Sequence, residues 1–180
     1  MEQKKSRFPY NIVLIGFMGA GKSTVADYLK DQYDMKLVEM DQEIADREKM
    51  SIPEIFSTHG ELYFRNLETQ LLKELQFENH CIISCGGGVA LRQENVEEMR
   101  KNGRVVLLTA NPQTIYDRVK DSENRPILKG NNNIEFISKL MDERRPKYEA
   151  AADVVIHTDN KSVVEICEEL IKKITEMDEK

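Results

Sequence analysis

The stretch Gly16-Phe17-Met18-Gly19-Ala20-Gly21-Lys22-Ser23-Thr24 decides the fold that we predict for this chain of 180 residues. It follows an apolar run at residues 12–15 and precedes residues 25–30, whose apolar positions have helical spacing. A glycine, four residues and then Gly-Lys-Ser, placed between a strand and a helix, is the pattern of a phosphate-binding P-loop. The alternative is a glycine-rich turn that only joins a strand to a helix. The full pattern in this context favours the P-loop.

The chemistry of a P-loop explains why these residue types occur together. Glycines let backbone N–H groups turn toward phosphate oxygens, and the N-terminus of the following helix adds partial positive charge. Lys22 can reach the β- and γ-phosphates, and Ser23 offers a hydroxyl to Mg²⁺. We therefore predict that the chain binds a nucleoside triphosphate with Mg²⁺. The nucleotide-binding residues predicted in the loop are Gly19, Ala20, Gly21, Lys22, Ser23 and Thr24.

The composition is typical of one globular domain. Hydrophobic residues make up 40% of the chain and charged residues 32%, and the net charge of -6 argues against a general affinity for nucleic acid. The run at residues 12–15 is too short to span a bilayer, and the charged N-terminus lacks the apolar segment of a signal peptide. The three cysteines fit neither a disulfide framework nor a paired zinc motif. We expect a cytoplasmic monomer with one domain, residues 1–180, and no membrane or nucleic-acid partner.

Short apolar runs alternate with amphipathic segments along the rest of the chain. We predict further strands at residues 37–40, 81–84, 104–108 and 154–157, with helices between them. Ser51 and Glu54 have the spacing of a capping box at a helix start, and Gly103 is predicted to be the C-cap of another helix. The alternation predicts a three-layer α/β/α fold with a central, mainly parallel sheet.

Residues 121–133 form a long polar segment that contains Arg125. Loops of this length in compact domains are often functional. We predict that this segment is a mobile lid and that Arg125 contacts the phosphates when the lid closes.

Three features lie at the ends of predicted strands, where ligands of parallel α/β sheets bind. Asp41 follows the second strand and can accept the proton of an acceptor hydroxyl, or it is an N-cap of the next helix. Glu39 projects to the same side and either holds a Mg²⁺-bound water or is a solvated charge at an edge. The run Gly86-Gly87-Gly88 follows the third strand and would let the backbone approach a ligand closely.

Two arginines are candidates for binding an anionic acceptor. Arg65 and Glu68 are three residues apart on a predicted helix, so either they form a surface ion pair or Glu68 orients Arg65 toward the acceptor. Arg144 precedes Pro146 near a predicted helix end, where a cation also interacts favourably with the helix dipole. The patterns alone leave both alternatives open for each arginine.

Taken in order, these motifs resemble those of the shikimate kinase family, and the resemblance extends from Asn11 to about Met177. The strings that carry it are Gly16-x-Met18-Gly19-x-Gly21-Lys22-Ser23-Thr24, Ser51-Ile52-x-Glu54-Ile55-Phe56, Gly60-Glu61-x-x-Phe64-Arg65-x-x-Glu68, Gly86-Gly87-Gly88, Arg125-Pro126-Ile127-Leu128 and Arg144-x-Pro146-x-Tyr148. The resemblance implies a nucleoside monophosphate kinase-like fold with five parallel strands, an acceptor-binding segment at about residues 41–70 and a lid. It also implies transfer of the γ-phosphoryl of ATP to the 3-hydroxyl of shikimate, on the route to chorismate and the aromatic amino acids.

The resemblance further implies a role for each site residue. The residues that would hold shikimate are Asp41, Arg65, Gly87, Gly88 and Arg144, with the arginines on its carboxylate. Asp41 would be the catalytic base, with Lys22 and Arg125 acting on the phosphates, and Arg118 would flank adenine. The family usually has Asp-x-Asp at the end of the second strand, whereas this chain has Glu39-Met40-Asp41. The role of Glu39 toward a Mg²⁺-bound water therefore departs from the family pattern.

Three other functions share part of this pattern. A gluconate or nucleoside monophosphate kinase would also have the P-loop and lid, but the string around Arg65, the triple glycine and Arg144 favour shikimate. A regulatory protein on an inactive kinase scaffold would be indicated by loss of Lys22, Asp41 or Arg125, and all three are present. A GTPase would need an Asp-x-x-Gly switch and an Asn-Lys-x-Asp motif, which this sequence lacks.

Overall fold

A five-stranded sheet forms the centre of the computed structural model, which describes residues 8–121, 130 and 133–180. The strands are β1 (Asn11–Ile15), β2 (Lys36–Glu39), β3 (Cys81–Ser84), β4 (Gly103–Thr109) and β5 (Val154–His157). All neighbouring strands are parallel, and their order is β2-β3-β1-β4-β5. The predicted parallel sheet is confirmed, and its central strand is the one that precedes the P-loop.

Helices cover both faces of the sheet. They are α1 (Lys22–Tyr33), α2 (Met40–Glu48), α3 (Ile52–His59), α4 (Glu61–Leu75), α5 (Gln93–Lys101), α6 (Pro112–Val119), α7 (Ile134–Ala151) and α8 (Val163–Asp178), with a 3₁₀ turn at Val89–Leu91. Helices α1 and α8 contact each other and pack on β3 and β5, whereas α5 and α7 pack on β4. The predicted three-layer architecture is therefore confirmed. Within the described residues, no helix combines the length and apolar character needed to cross a bilayer.

Burial explains why four of the five residues of β1 are apolar. All five of its residues are buried, and Ile12 and Leu14 have no exposed surface. A parallel strand covered by helices on both faces needs apolar side chains in both directions. Ile15 pairs with Leu107 of β4, and Leu14 pairs with Ser84 of β3. The carboxyl ends of these strands therefore meet at one edge, next to the P-loop.

The predicted capping box at the start of α3 is confirmed. Ser51 Oγ accepts a hydrogen bond from the backbone N–H of Glu54, and Glu54 Oε2 accepts one from the backbone N–H of Ser51 at 2.7 Å. Two backbone donors that the helix leaves unpaired are satisfied in this way. The start of α3 is thus fixed by local sequence.

The prediction that Gly103 caps a helix is wrong. Helix α5 ends at Lys101, Asn102 occupies the C-cap position, and Gly103 is the first residue of β4. A Cβ on Gly103 would lie 2.5 Å from the carbonyl oxygen of Met99 and 2.8 Å from a methyl group of Val13. Close approach of the helix end to the strand, and not a left-handed turn, is what requires glycine here.

Candidate active site

The P-loop makes a turn that depends on glycine. Gly16, Gly19 and Gly21 have φ angles of 144°, 81° and 98°, which residues with side chains rarely adopt. A Cβ on Gly16 would also overlap the carbonyl oxygen of Leu108 on β4. The chain then enters α1 at Lys22. The loop therefore ends at a helix N-terminus, which favours bound anions.

Lys22 is buried within this loop. Its Nζ donates hydrogen bonds to the carbonyl oxygens of Gly16 at 2.7 Å and of Phe17 at 3.0 Å. These contacts hold the ammonium group against the loop backbone. Phosphate oxygens that enter the loop would meet this charge without a large movement of the lysine.

A cavity of about 280 Å³ lies outside the carboxyl ends of β1, β2 and β3. It brings together residues predicted to bind the phosphate donor and residues predicted to bind the acceptor. The predicted residues that line it are Gly19, Gly21, Lys22, Ser23, Thr24, Glu39, Asp41, Gly87 and Arg118. Ala20, also predicted from the loop, is fully buried. The cavity thus joins the P-loop to Asp41 and Gly87, whereas the predicted acceptor residues Arg65, Gly88 and Arg144 are not among the described residues that line it.

Asp41 lies in the first turn of α2 and not at the end of a strand. Strand β2 ends at Glu39, which occupies the N-cap position of α2, so the alternative that Asp41 is an N-cap is wrong. A carboxylate in the first turn is favoured by the helix dipole. The Oδ1 atom of Asp41 lies 2.8 Å from the position that a Cβ on Gly86 would take. The carboxylate is therefore close to the triple glycine.

Arg65 and Glu68 form a buried pair, so the alternative of a surface ion pair is wrong. Glu68 has no exposed surface, and the Arg65 side chain is 14% exposed. Nη1 of Arg65 donates to both carboxylate oxygens of Glu68 at 3.0 Å, and Nε and Nη2 donate to Glu61 Oε1 at 3.3 and 3.2 Å. A Cβ on Gly88 would overlap the guanidinium. Two carboxylates and a glycine therefore fix the position of this cation.

Burial raises the pKa of Glu68 to about 7, although the charge of Arg65 opposes this shift. The ordinary pKa of a glutamate is 4.5, so between pH 4.5 and 7 the folded protein binds more protons at this group than the unfolded chain does. The stability that this difference contributes is fully present below pH 4.5 and is lost as the pH rises to about 7.

Glu68→Gln should therefore become more stable relative to the wild type as the pH rises from 4.5 to 7. Thermal unfolding of both proteins in a series of buffers measures this difference. A difference in melting temperature that stays constant over the range would contradict the assignment.

Arg144 is buried in the middle of α7. The predicted helix passes through the exposed Pro146 and ends at Ala151, so Arg144 lies seven residues before the helix end and outside its last turn. The guanidinium carbon of Arg144 lies 5.5 Å from the centre of the Phe17 ring, and its Nη1 lies 3.5 Å from the hydroxyl of Tyr148. Nη1 is also 3.5 Å from the position of a Cβ on Gly87. Arg144 therefore approaches the glycine run from α7, whereas Arg65 approaches it from α4.

Two buried residues that the sequence patterns missed hold these elements together. The hydroxyl of Tyr148 donates to the carbonyl oxygen of Gly87 at 2.6 Å. Asn95 on α5 contacts Thr69 Oγ1 on α4 at 2.7 Å and donates to the carbonyl oxygen of Val89 at 2.9 Å. Tyr148 belongs to the motif Arg144-x-Pro146-x-Tyr148, but no role was predicted for it. Asn95 lies on the same helical face as the apolar Met99, and a polar residue in that position was the signal in the sequence that Asn95 is buried.

Arg118 lies on α6 at the other side of the P-loop. Its Nη1 donates to the carbonyl oxygen of Gly19 at 2.9 Å and lies 3.5 Å from Thr158 Oγ1. The guanidinium is exposed and borders the cavity. It is thus placed where a nucleotide in the P-loop could contact it. The predicted lid residue Arg125 lies outside the described residues.

The oxygens near the P-loop fit a Mg²⁺ ion that arrives with a nucleotide. Ser23 and Glu39 both line the cavity. Among the residues that the structure describes, there is no group of three His, Cys, Asp or Glu side chains that could hold a metal alone. Mg²⁺ keeps several waters and is usually bound through one or two protein oxygens together with substrate phosphates. The donor set therefore suits an ion whose other ligands are water and phosphate.

Comparison with known proteins identifies the family of this chain. The family model described as shikimate kinase matches residues 18–175. The chain belongs to the shikimate kinase family. The shikimate kinase of Dehalococcoides mccartyi strain 195 is 42% identical over 166 residues, which cover 92% of this chain and 94% of the relative.

Solved structures of shikimate kinases agree with this family, and they match the chain more closely than a solved gluconokinase does. The shikimate kinase from Acinetobacter baumannii in complex with shikimate has a TM-score of 0.91 at 30% identity, and the match covers 97% of each chain. A gluconokinase from Sinorhizobium meliloti has a TM-score of 0.63 at 18% identity, covering 96% of this chain and 95% of its own. This likeness shows a shared fold, so the fold and the P-loop by themselves do not distinguish the two families.

Proposed function

We propose that this chain transfers the γ-phosphoryl group of ATP to the 3-hydroxyl of shikimate, giving shikimate 3-phosphate and ADP. The observation that carries the proposal is the buried Arg65–Glu68 pair, which holds a guanidinium against Gly88. A fixed guanidinium of this kind binds carboxylates in a planar, bidentate way. An acceptor with a carboxylate can use it, whereas a neutral sugar cannot.

The proposed acceptor site uses the two arginines and the glycine run. Arg65 and Arg144 would bind the carboxylate of shikimate from two helices, and Gly87 and Gly88 would let its ring approach the backbone. Asp41 would then face the 3-hydroxyl from the first turn of α2. This arrangement fixes the acceptor at both ends, which is the main contribution that positioning makes to phosphoryl transfer.

In the proposed reaction, Asp41 accepts the proton of the 3-hydroxyl as that oxygen attacks the γ-phosphorus. A new oxygen–phosphorus bond forms while the bond between the γ-phosphorus and the bridging oxygen of ADP breaks. Lys22 would transfer its hydrogen bonds from the loop carbonyls to the phosphate oxygens and stabilise the charge that develops there. Arg118 would flank adenine, and Arg125 would contact the phosphates from the lid.

We propose Mg²⁺ as the divalent ion, with Ser23 as a direct ligand and Glu39 as a ligand through water. The ion would neutralise charge on the β- and γ-phosphates. Glutamate is one methylene longer than the aspartate usual in the family, and a bridging water accommodates that difference. We further propose one domain over residues 1–180, supported by the one sheet and one core that the described residues form. We also propose that the protein is a cytoplasmic monomer.

A panel of acceptors tests the function. With MgATP, ADP release should require shikimate and should be much slower with gluconate, AMP or water. Gluconate also carries a carboxylate, so this comparison tests recognition of the ring and not of the charge alone. Equal or faster turnover with gluconate or AMP would overturn the assignment.

Tyr148→Phe should raise the KM for shikimate about fivefold or more, because it removes the donor that holds the Gly87 carbonyl. The KM for ATP should stay close to that of the wild type. Tyr28→Phe is the matched control, since Tyr28 is half-buried on α1 and does not line the cavity. Equal KM values for shikimate in the two variants would show that the Tyr148 hydroxyl does not position the acceptor.

A further inference from the structure

A second cavity, of about 130 Å³, lies between the sheet and α7. Its walls come from the carboxyl ends of β4 and β5, from α7 and from Phe17 of the P-loop. The described residues that line it do not include Lys22, Asp41 or Arg65. It is therefore separate from the space in which we place phosphoryl transfer.

The inner walls of this cavity are apolar. Phe17, Leu108, Ala110, Met141 and the ring of Tyr148 line it, and each residue is less than a tenth exposed. An apolar cavity of about 150 Å³ is known to stay dry and to bind benzene. The volume here is similar, although this cavity opens to solvent at one end, so an aromatic ring could enter it and fill the apolar part.

The mouth of the cavity has polar side chains of both signs. Arg145, Glu149 and His157 line it and are exposed. Arg145 already donates to Asp142 Oδ1 at 2.7 Å, and Glu149 follows one helical turn later. A carboxylate on a ligand would meet Arg145, whose charge Asp142 already offsets, and would be repelled by the nearby Glu149. A hydroxyl group can instead accept a hydrogen bond from His157 or donate one to Glu149. The mouth therefore favours a polar group without net charge.

We propose that this cavity is an effector site for a small molecule with a single aromatic ring and an uncharged hydroxyl group. The ring would occupy the apolar interior, and the hydroxyl would lie at the mouth. Nothing in the proposed reaction uses this space.

Two wall residues connect the cavity to the acceptor site. Tyr148 donates to the Gly87 carbonyl at 2.6 Å, and the Phe17 ring lies 5.5 Å from the guanidinium carbon of Arg144. A ring inside the cavity would pack against both and hold the Tyr148 hydroxyl on Gly87. Occupancy should then lower the KM for shikimate. This effect rests on the proposed function, whereas binding to the cavity does not.

Benzyl alcohol is the probe for this site, and benzoate is its charged counterpart. Benzyl alcohol should raise the melting temperature of the wild type in a saturable way, by about 3 °C at ten times its dissociation constant. Benzoate at the same concentration should give a smaller shift. Saturating benzyl alcohol should lower the KM for shikimate about twofold, because the bound ring holds the Tyr148 hydroxyl on the Gly87 carbonyl.

Filled-cavity variants locate the binding site. Ala110→Leu adds three carbon atoms at the wall and should lose the benzyl alcohol shift while ADP release without probe stays within about twofold of the wild type. Val155→Phe fills the same space from β5 and keeps the test decisive if Ala110→Leu does not fold.

Three outcomes would overturn the proposal. The absence of a saturable shift, or a shift that persists in both filled variants, would show that this cavity is not the binding site. A larger shift with benzoate would exclude the uncharged class of ligand. An unchanged KM for shikimate at saturating probe would exclude the effector role. Thermal unfolding needs no turnover, so failure of the proposed reaction would leave the binding test intact.

Discussion

Asp41→Asn should lower kcat by about 10²- to 10⁴-fold, because a group that accepts a proton in the transition state contributes a factor of this size. Asparagine keeps the shape of the side chain and can still donate a hydrogen bond, but it cannot take the proton of the 3-hydroxyl. The KM for ATP should change little, since the P-loop residues that hold the phosphates are unaltered. Steady-state rates of ADP release with shikimate and MgATP measure both constants.

Asp46→Asn is the matched control for this variant. Asp46 lies on the same helix, is exposed and accepts a hydrogen bond from Gln42 at 2.7 Å. The same chemical change at this position should leave kcat within about twofold of the wild type, because surface substitutions rarely alter structure. A near-normal rate in Asp41→Asn would remove Asp41 as the base. An equal loss in both variants would indicate instead that α2 as a whole had moved.

Arg65→Ala should raise the KM for shikimate by about 10- to 100-fold and leave the KM for ATP nearly unchanged. Each charge-assisted hydrogen bond to a carboxylate contributes roughly 1.5–3 kcal/mol, and about 1.4 kcal/mol corresponds to a factor of ten in affinity. At pH 8 the same variant should be less stable by up to about 3 kcal/mol, because the buried Glu68 must then either stay ionised without its cation or bind a proton. Acceptor kinetics and denaturant unfolding measure these two effects separately.

The double variant Arg65→Ala/Glu68→Gln separates binding from folding. Replacing the buried carboxyl group by a neutral amide should restore most of the stability lost at pH 8, while the KM for shikimate should remain high because no guanidinium is present. Arg47→Ala is the control for loss of an exposed arginine. Its partners Glu43 and Glu74 are half-exposed, so we expect less than about 1 kcal/mol and no change in either KM. Recovery of the KM in the double variant would mean that Arg65 acts on the fold and not on the acceptor.

Much of the fold could be predicted because its determinants are local. The run before Gly16 is apolar at successive positions, as a strand buried on both faces requires, and the capping box at Ser51 needs only residues three apart. Gly103 shows the limit of local reasoning. Glycine after an amphipathic helix usually marks a C-cap, but here the contact with Val13 of a neighbouring strand decides the residue.

The candidate site could be predicted as a set of residues but not as a geometry. Spacing placed Arg65 and Glu68 on one helical face, yet only the packed structure shows that Glu68 is fully buried. The sequence placed Arg144 near a helix end, yet only the packed structure shows that α7 runs on to Ala151 and that Arg144 is buried within it. Tyr148 and Gly87 are 61 residues apart, and no local pattern could indicate their hydrogen bond. The sequence patterns therefore did not predict the long-range contacts.

The position of Lys22 has a consequence for how a nucleotide enters. A free lysine loses much side-chain entropy when it is fixed on a ligand, roughly 2 kcal/mol for its four-carbon chain. Here the two carbonyl oxygens of Gly16 and Phe17 already restrict that chain. Nucleotide association therefore exchanges one set of acceptors for another and leaves the lysine about as ordered as before. Donor binding at this loop should thus be preorganised, with its entropic cost met during folding and not at each turnover.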